Sequence, residues 1–191
     1  MYNFQQRANA VFAFFVSVAF AMVLLTAASG PLLLHFSQDI KRTPPPAIDA
    51  AGVNVRVGRV GFQYDYNNPS TQLGWVWFNL DADLRPWFHW NTKQLHVYAV
   101  VAFETPQHHS NEIVIWDHIV TSVDQARLQL SKQKAEYLVS DIAHKLSGLN
   151  GTLRLEWNVV PWVGFLQMER GPATEIAFPQ PSPPSHSHTA A

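Results

Sequence analysis

Asp81 and Asp83 come nearest, by type and spacing, to a catalytic pair. They lie on one face of a run in which Val76, Phe78, Leu80, Ala82 and Leu84 alternate with Trp77, Asn79, Asp81 and Asp83. Strand neighbours at i and i+2 stand about 6–7 Å apart, near the separations paired carboxylates use to cleave a glycosidic bond. That chemistry also needs a groove and one acid with a raised pKa, and two aspartates on a wet strand face ordinarily just meet solvent. His108-His109 and His186-x-His188 offer imidazoles, but no spacing brings further metal ligands to converge on them. There is no G-x-S-x-G elbow, no H-E-x-x-H and no P-loop. Cysteine is absent, which excludes thiolate zinc sites, C-x-x-C redox motifs and cysteine nucleophiles. A net charge of −1 leaves no electrostatic footprint for nucleic acid. No catalytic residue, cofactor or metal site is expected, and the chain points to binding.

The elements that would position such residues are mostly strands. Val53, Val55 and Val57 alternate with polar or small residues; Leu95, Val97, Ala99, Val101 and Phe103 line one face of another run. Ile113 and Ile115 are expected opposite Val114 and Trp116, and Leu153, Leu155, Trp157 and Val159 alternate with Arg154, Glu156 and Asn158. Period two with β-branched and aromatic residues predicts strands. Turn residues at 66–70, 105–111 and 149–151 separate them. Clean alternation predicts antiparallel sheets with one wet face, packed as a β-sandwich. Residues 131–146 read equally as helix or strand.

Residues 8–34 contain no Asp, Glu, Lys or Arg. About 20 apolar residues span a bilayer, and 10–34 is assigned as a transmembrane signal-anchor after a short cytosolic segment, 1–9. Ser17, Thr26 and Ser29 can each bond a carbonyl of their own helix, and Gly30-Pro31 is expected to end it. A cleaved signal peptide with its site near Thr26–Ser29 is the alternative, but the apolar run exceeds the usual h-region and continues past that site. Basic residues nearly balance across the span; Asn150-Gly151-Thr152, the chain's one acceptor sequon, favours an exported domain. Residues 35–46 form a Pro-rich linker, 47–178 the β-sandwich-like domain, expected to be lumenal or extracellular, and 179–191 a disordered Pro/Ser/His tail. The fold class is thus mainly β, one transmembrane helix followed by one antiparallel domain.

Trp75-Val76-Trp77-Phe78 and Trp87-Phe88-His89-Trp90 are dense in large rings, which suit either the sandwich core or a protein interface. At these residues the chain resembles the family of subunit 3 of the eukaryotic signal peptidase complex. The likeness runs through Arg7–Phe14, Phe88-His89-Trp90-Asn91-Thr92-Lys93-Gln94-Leu95, Glu112–Asp117, and Leu153-Arg154-Leu155-Glu156-Trp157-Asn158-Val159-Val160-Pro161 with Gly164. In order, these blocks cover most of residues 7–166. Pro44–Pro46, residues 121–136 and the tail depart from the pattern. The resemblance implies a non-catalytic, single-pass subunit of the endoplasmic reticulum membrane with a lumenal domain. Its implied partners are a separate catalytic subunit and other small membrane subunits that together remove signal peptides. It further implies glycosylation at Asn150, and fold or partner-contact roles for Trp90, Asn91, Lys93, Gln94, Trp116, Trp157, Asn158 and Pro161. An anchored adhesion or ligand-binding ectodomain is the rival from another class, and a carbohydrate-active enzyme using Asp81 and Asp83 a second.

Overall fold

A computed structural model describes residues 3–60, 71–141 and 145–180. The N-terminal helix α1 (Phe4–Phe36) is long and apolar enough to cross a membrane. Its hydroxyls turn inward as expected: Ser17 Oγ donates to Ala13 O at 2.9 Å, and Thr26 Oγ1 to Met22 O at 2.9 Å. Gly30-Pro31 does not end it. Proline removes one amide donor and crowds the preceding turn, but here the neighbouring domain supports the helix. Gly30 is buried, and the Thr26 carbonyl accepts from both Ser29 Oγ and the side chain of Asn91. Ser37 then caps a short helix, α2 (Gln38–Arg42), accepting from Ile40 N at 3.4 Å. The segment whose prolines mark a linker is therefore itself packed: Ile40 lies against the core and Pro46 is buried.

Among the described residues, eight strands follow in two antiparallel sheets. β1 (Ala47–Val60), β2 (Thr71–Asp83) and β5 (Arg127–Lys134) lie in that order, with the short β6 (Val139–Ser140) also on β2. The second sheet runs β4 (Asn111–Val120), β3 (Thr92–Phe103), β7 (Asn150–Pro161), β8 (Gln167–Ala177). The inner faces are the alternating residues read above. Val76, Phe78, Leu80 and Ala82 of β2 meet Leu95, Val97, Ala99 and Val101 of β3 and Leu153, Leu155, Trp157 and Val159 of β7 in one core. Edge-to-face rings join the layers: Phe78 with Trp116 at 5.9 Å between centroids, and Trp87 with Trp157 at 5.0 Å.

The structure departs from the alternation at one strand. Ile115 and Trp116 are both buried, although they were expected on opposite faces. The β3–β4 register jumps between Ala99↔Trp116 and Val100↔Val114, leaving Ile115 unpaired. An extra residue in one strand shifts the parity of all that follows, so Val120 also reaches the core. Residues 131–134 complete β5, which settles that part of the ambiguous stretch as strand; 142–144 lie outside the described residues. The turn expected at 66–70 and the tail beyond Gln180 also lie outside them.

Candidate functional site

Asn91 organises the junction between helix and sandwich. The register Thr92↔Pro161 puts the residues before β3 beside those after β7. Trp162 N donates to Asn91 O at 2.8 Å and Val163 N to Asn91 Oδ1 at 3.1 Å. Asn91 Nδ2 in turn donates to Val163 O at 2.8 Å and to Thr26 O of α1 at 3.2 Å. One primary amide thus uses its acceptor and both donors to join three segments, at 1% exposure. Gly164 follows at φ +124°, where side chains rarely sit, and a Cβ there would lie 3.2 Å from Ala27 O. Gly30 is equally close: a Cβ on it would meet Gln167 Nε2 at 3.2 Å.

His89 completes this corner. Its Nδ1 accepts from Asn91 N at 3.2 Å, and burial holds the imidazole below its usual range. A ring whose folded pKa lies below the unfolded value of about 6.5 stabilises the protein fully above that pH, and the contribution is lost as pH falls below it. Thermal scans should therefore show a midpoint that drops between pH 7.5 and 5.5, and a smaller drop in His89→Gln.

The other predicted residues fall into distinct environments. Trp116 and Trp157 are core residues at 5% and 2% exposure. Gln94, Asn158 and Pro161 are half-buried at the junction end of the second sheet; Asn158 Oδ1 accepts from Tyr98 OH at 3.4 Å. Trp90 is exposed, as is Lys93, whose ammonium lies 5.6 Å from the centre of the Trp162 ring. Asn150 is exposed at the start of β7, at the opposite end of the sheet. The ring-rich segments therefore divide between core and surface.

Asp81 and Asp83 are tied up by arginines. Arg127 Nη2 lies 2.7 Å from Asp81, and Arg85 Nη2 2.6 Å from Asp83. The Arg85 hydrogen bond holds the Asp83 carboxyl below the usual carboxylate range. A general acid requires the opposite shift, so this pair has the electrostatics of a structural ion-pair cluster.

Sequence reasoning passed over a second polar group on the outer face of the second sheet. Glu156 is buried and bonds Arg154 Nε at 2.6 Å, with Arg170 Nε at 3.4 Å; Arg154 Nη2 also reaches Glu112 at 2.6 Å. These carboxylates hold the Arg154 guanidinium above its already high range. Removing one partner of a buried pair leaves its charge uncompensated. Arg154→Met should cost about 2 kcal/mol, with Arg170 as the residual partner, and Arg154→Met/Glu156→Leu should recover much of it; urea unfolding reads both.

Also missed was the loop after β7, with Trp162, Val163, Gly164, Phe165 and Leu166. The available signal was the absence of Asp, Glu, Lys and Arg from residues 157–168.

Comparison with known proteins places the sequence. The signal peptidase subunit family matches residues 1–181. The human protein called signal peptidase complex subunit 3 is 34% identical over 184 residues, covering 91% of this chain and 92% of its own length. The Schizosaccharomyces pombe protein of the same name is 35% identical over 122 residues, 61% of this chain and 65% of its own length. A mouse relative, adipocyte-related X-chromosome expressed sequence 1, is 32% identical over 190 residues, 94% of this chain and 95% of its own. Anchor helix, junction and both sheets all fall within the matched span, and this chain belongs to the signal peptidase subunit family.

Proposed function

We propose that this chain is a non-catalytic accessory subunit of the endoplasmic reticulum signal peptidase complex, anchored by α1 with its β domain in the lumen. The match to the signal peptidase subunit family over residues 1–181 carries this reading. Signal peptides are cut from nascent secretory proteins by a separate catalytic chain, which this subunit supports together with the small membrane subunits. Holding a catalytic geometry in place can matter as much as supplying a nucleophile. A rigid joint between anchor and sandwich suits that task, because it fixes the height and orientation of the domain above the membrane.

Two observations support a retained anchor and a lumenal domain. The helix runs unbroken through Thr26–Ser29, and Gly30 is buried against the domain, so cleavage there would cut a packed joint. The sequon asparagine, Asn150, is exposed about 35 Å along β7 from the junction, where an oligosaccharide would clear the membrane. Neither the ectodomain rival nor a carbohydrate-active enzyme has comparable support.

Extraction of the tagged protein from microsomes in mild detergent tests the assignment. Signal peptidase catalytic and small membrane subunits should co-purify in stoichiometric amounts; a solitary protein, or one with cell-surface partners, would overturn it. In the same microsomes, protease added outside should leave the β domain intact, and an endoglycosidase-sensitive mobility shift should vanish in Asn150→Gln.

A further inference from the structure

The loop after β7 is built from residues that a water-facing turn would not use. Trp162 is 67% exposed, Phe165 85%, Leu166 52% and Met168 62%, and Trp90 at the same end of the sheet is 65% exposed. Scattered apolar side chains are normal on a surface, but a contiguous patch marks a binding surface. The patch is continuous with α1, because Gly164 touches the helix at Ala27 and Asn91 ties Val163 to Thr26.

The height of that contact identifies what covers the patch. Arg7 is the last charged residue before the apolar run, and from Ala8 to Ala27 the helix covers about 30 Å, the thickness of a bilayer's hydrocarbon core. Large apolar side chains line this stretch and are exposed, among them Phe12, Phe15, Phe20 and Leu25. Beyond it the helix also packs on protein, with Gly30 buried and Leu34 against the core, while Leu32, Leu33 and Phe36 stay exposed. The domain touches the helix at Thr26 and Ala27, so the loop stands at the C-terminal end of the span, the level where tryptophan and other amphipathic side chains gather in membrane proteins. Lys93, whose ammonium lies over the Trp162 ring, adds to the patch a side chain that can bury an apolar stem while keeping its charge in water.

We propose that Trp90, Trp162, Phe165 and Leu166 enter the phospholipid leaflet at the C-terminal end of the α1 span and seat the domain on the membrane. The junction fixes the insertion, so the domain has a second foothold besides its helix and cannot swivel about it. This rests on α1 being a membrane span and is independent of which side the domain faces.

The chain has no cysteine, so single labels can be placed cleanly. Full-length Phe165→Cys, Asn150→Cys and Phe15→Cys proteins, each carrying an environment-sensitive fluorophore, would be reconstituted in phosphatidylcholine nanodiscs. Nitroxide lipids labelled near the headgroup should quench the probe at 165 about five-fold more than the probe at 150, as expected for side chains about 5–10 Å into the interface. Aqueous iodide should show the reverse order, and Phe15→Cys should respond to deep nitroxides. If 15 responds and 165 quenches like 150, the loop is not in lipid and the proposal fails while the anchor stands. Crosslinking of 165 between two copies in one disc would assign the patch to self-association and overturn it too. No lipid quenching at 15 would remove the span and the proposal together.

Discussion

Trp157→Ala should cost about 3–5 kcal/mol of the domain's stability, the range for truncating a buried aromatic. The ring is 2% exposed in the centre of β7 and stands edge-to-face on Trp87 from the segment between the sheets. Small domains have only about 5–15 kcal/mol in total, so this change alone removes a large fraction. Denaturant midpoints, and loss of the near-ultraviolet signature of the paired indoles, measure it. Trp90→Ala should shift the midpoint by no more than about 0.5 kcal/mol, as expected of an exposed site. Equal costs for the two tryptophans would contradict the division between core and surface. With unchanged stability, any loss of assembly in Trp90→Ala would reflect a lost contact and not unfolding.

Asn91→Ala should cost about 3 kcal/mol, because it strands the Val163 amide and carbonyl and takes one donor from the Thr26 carbonyl, each of these part-buried bonds costing about 1 kcal/mol when unmade, the lower end of the usual range. The effect should be local before it is global. Amide exchange at Trp162 and Val163 should accelerate in detergent or nanodiscs by more than that of amides in the middle of β3 and β7, which lose only what the common unfolding free energy loses. Uniform acceleration across both strands would mean that the junction and the sandwich are one cooperative unit.

Period-two patterning made β2, β3 and β7 legible because each carries one fully buried face and one wetter one. It failed where a neighbouring strand decides the geometry. Nothing local in Ile113–Trp116 announces that the pairing with β3 skips Ile115. β8 was invisible for a related reason. Its residues Met168–Glu175 bury little, Pro172 lies at the register jump between Arg154↔Ala173 and Glu156↔Arg170, and the strand is an edge, the place that tolerates proline. Pro31 misled in the opposite direction. Its local preference to break the helix is overridden by contacts from residues far away in the chain, and no window around Gly30 contains Asn91 or Gln167. The family resemblance flagged Asn91, but its three-way bonding depends on Thr26 and Val163, which only the fold brings together.

The clamp also sets a timetable. Thr26 and Asn91 lie 65 residues apart in the chain, and Asn91 and Val163 a further 72. At about 5–20 residues per second of synthesis, on the order of ten seconds separate the first of these groups from the last. A helix that enters the bilayer during synthesis has its upper turns uncovered throughout that interval and is free to rotate. Whatever neighbouring chains the helix meets in the bilayer, it meets them before its own domain has fixed which way it points.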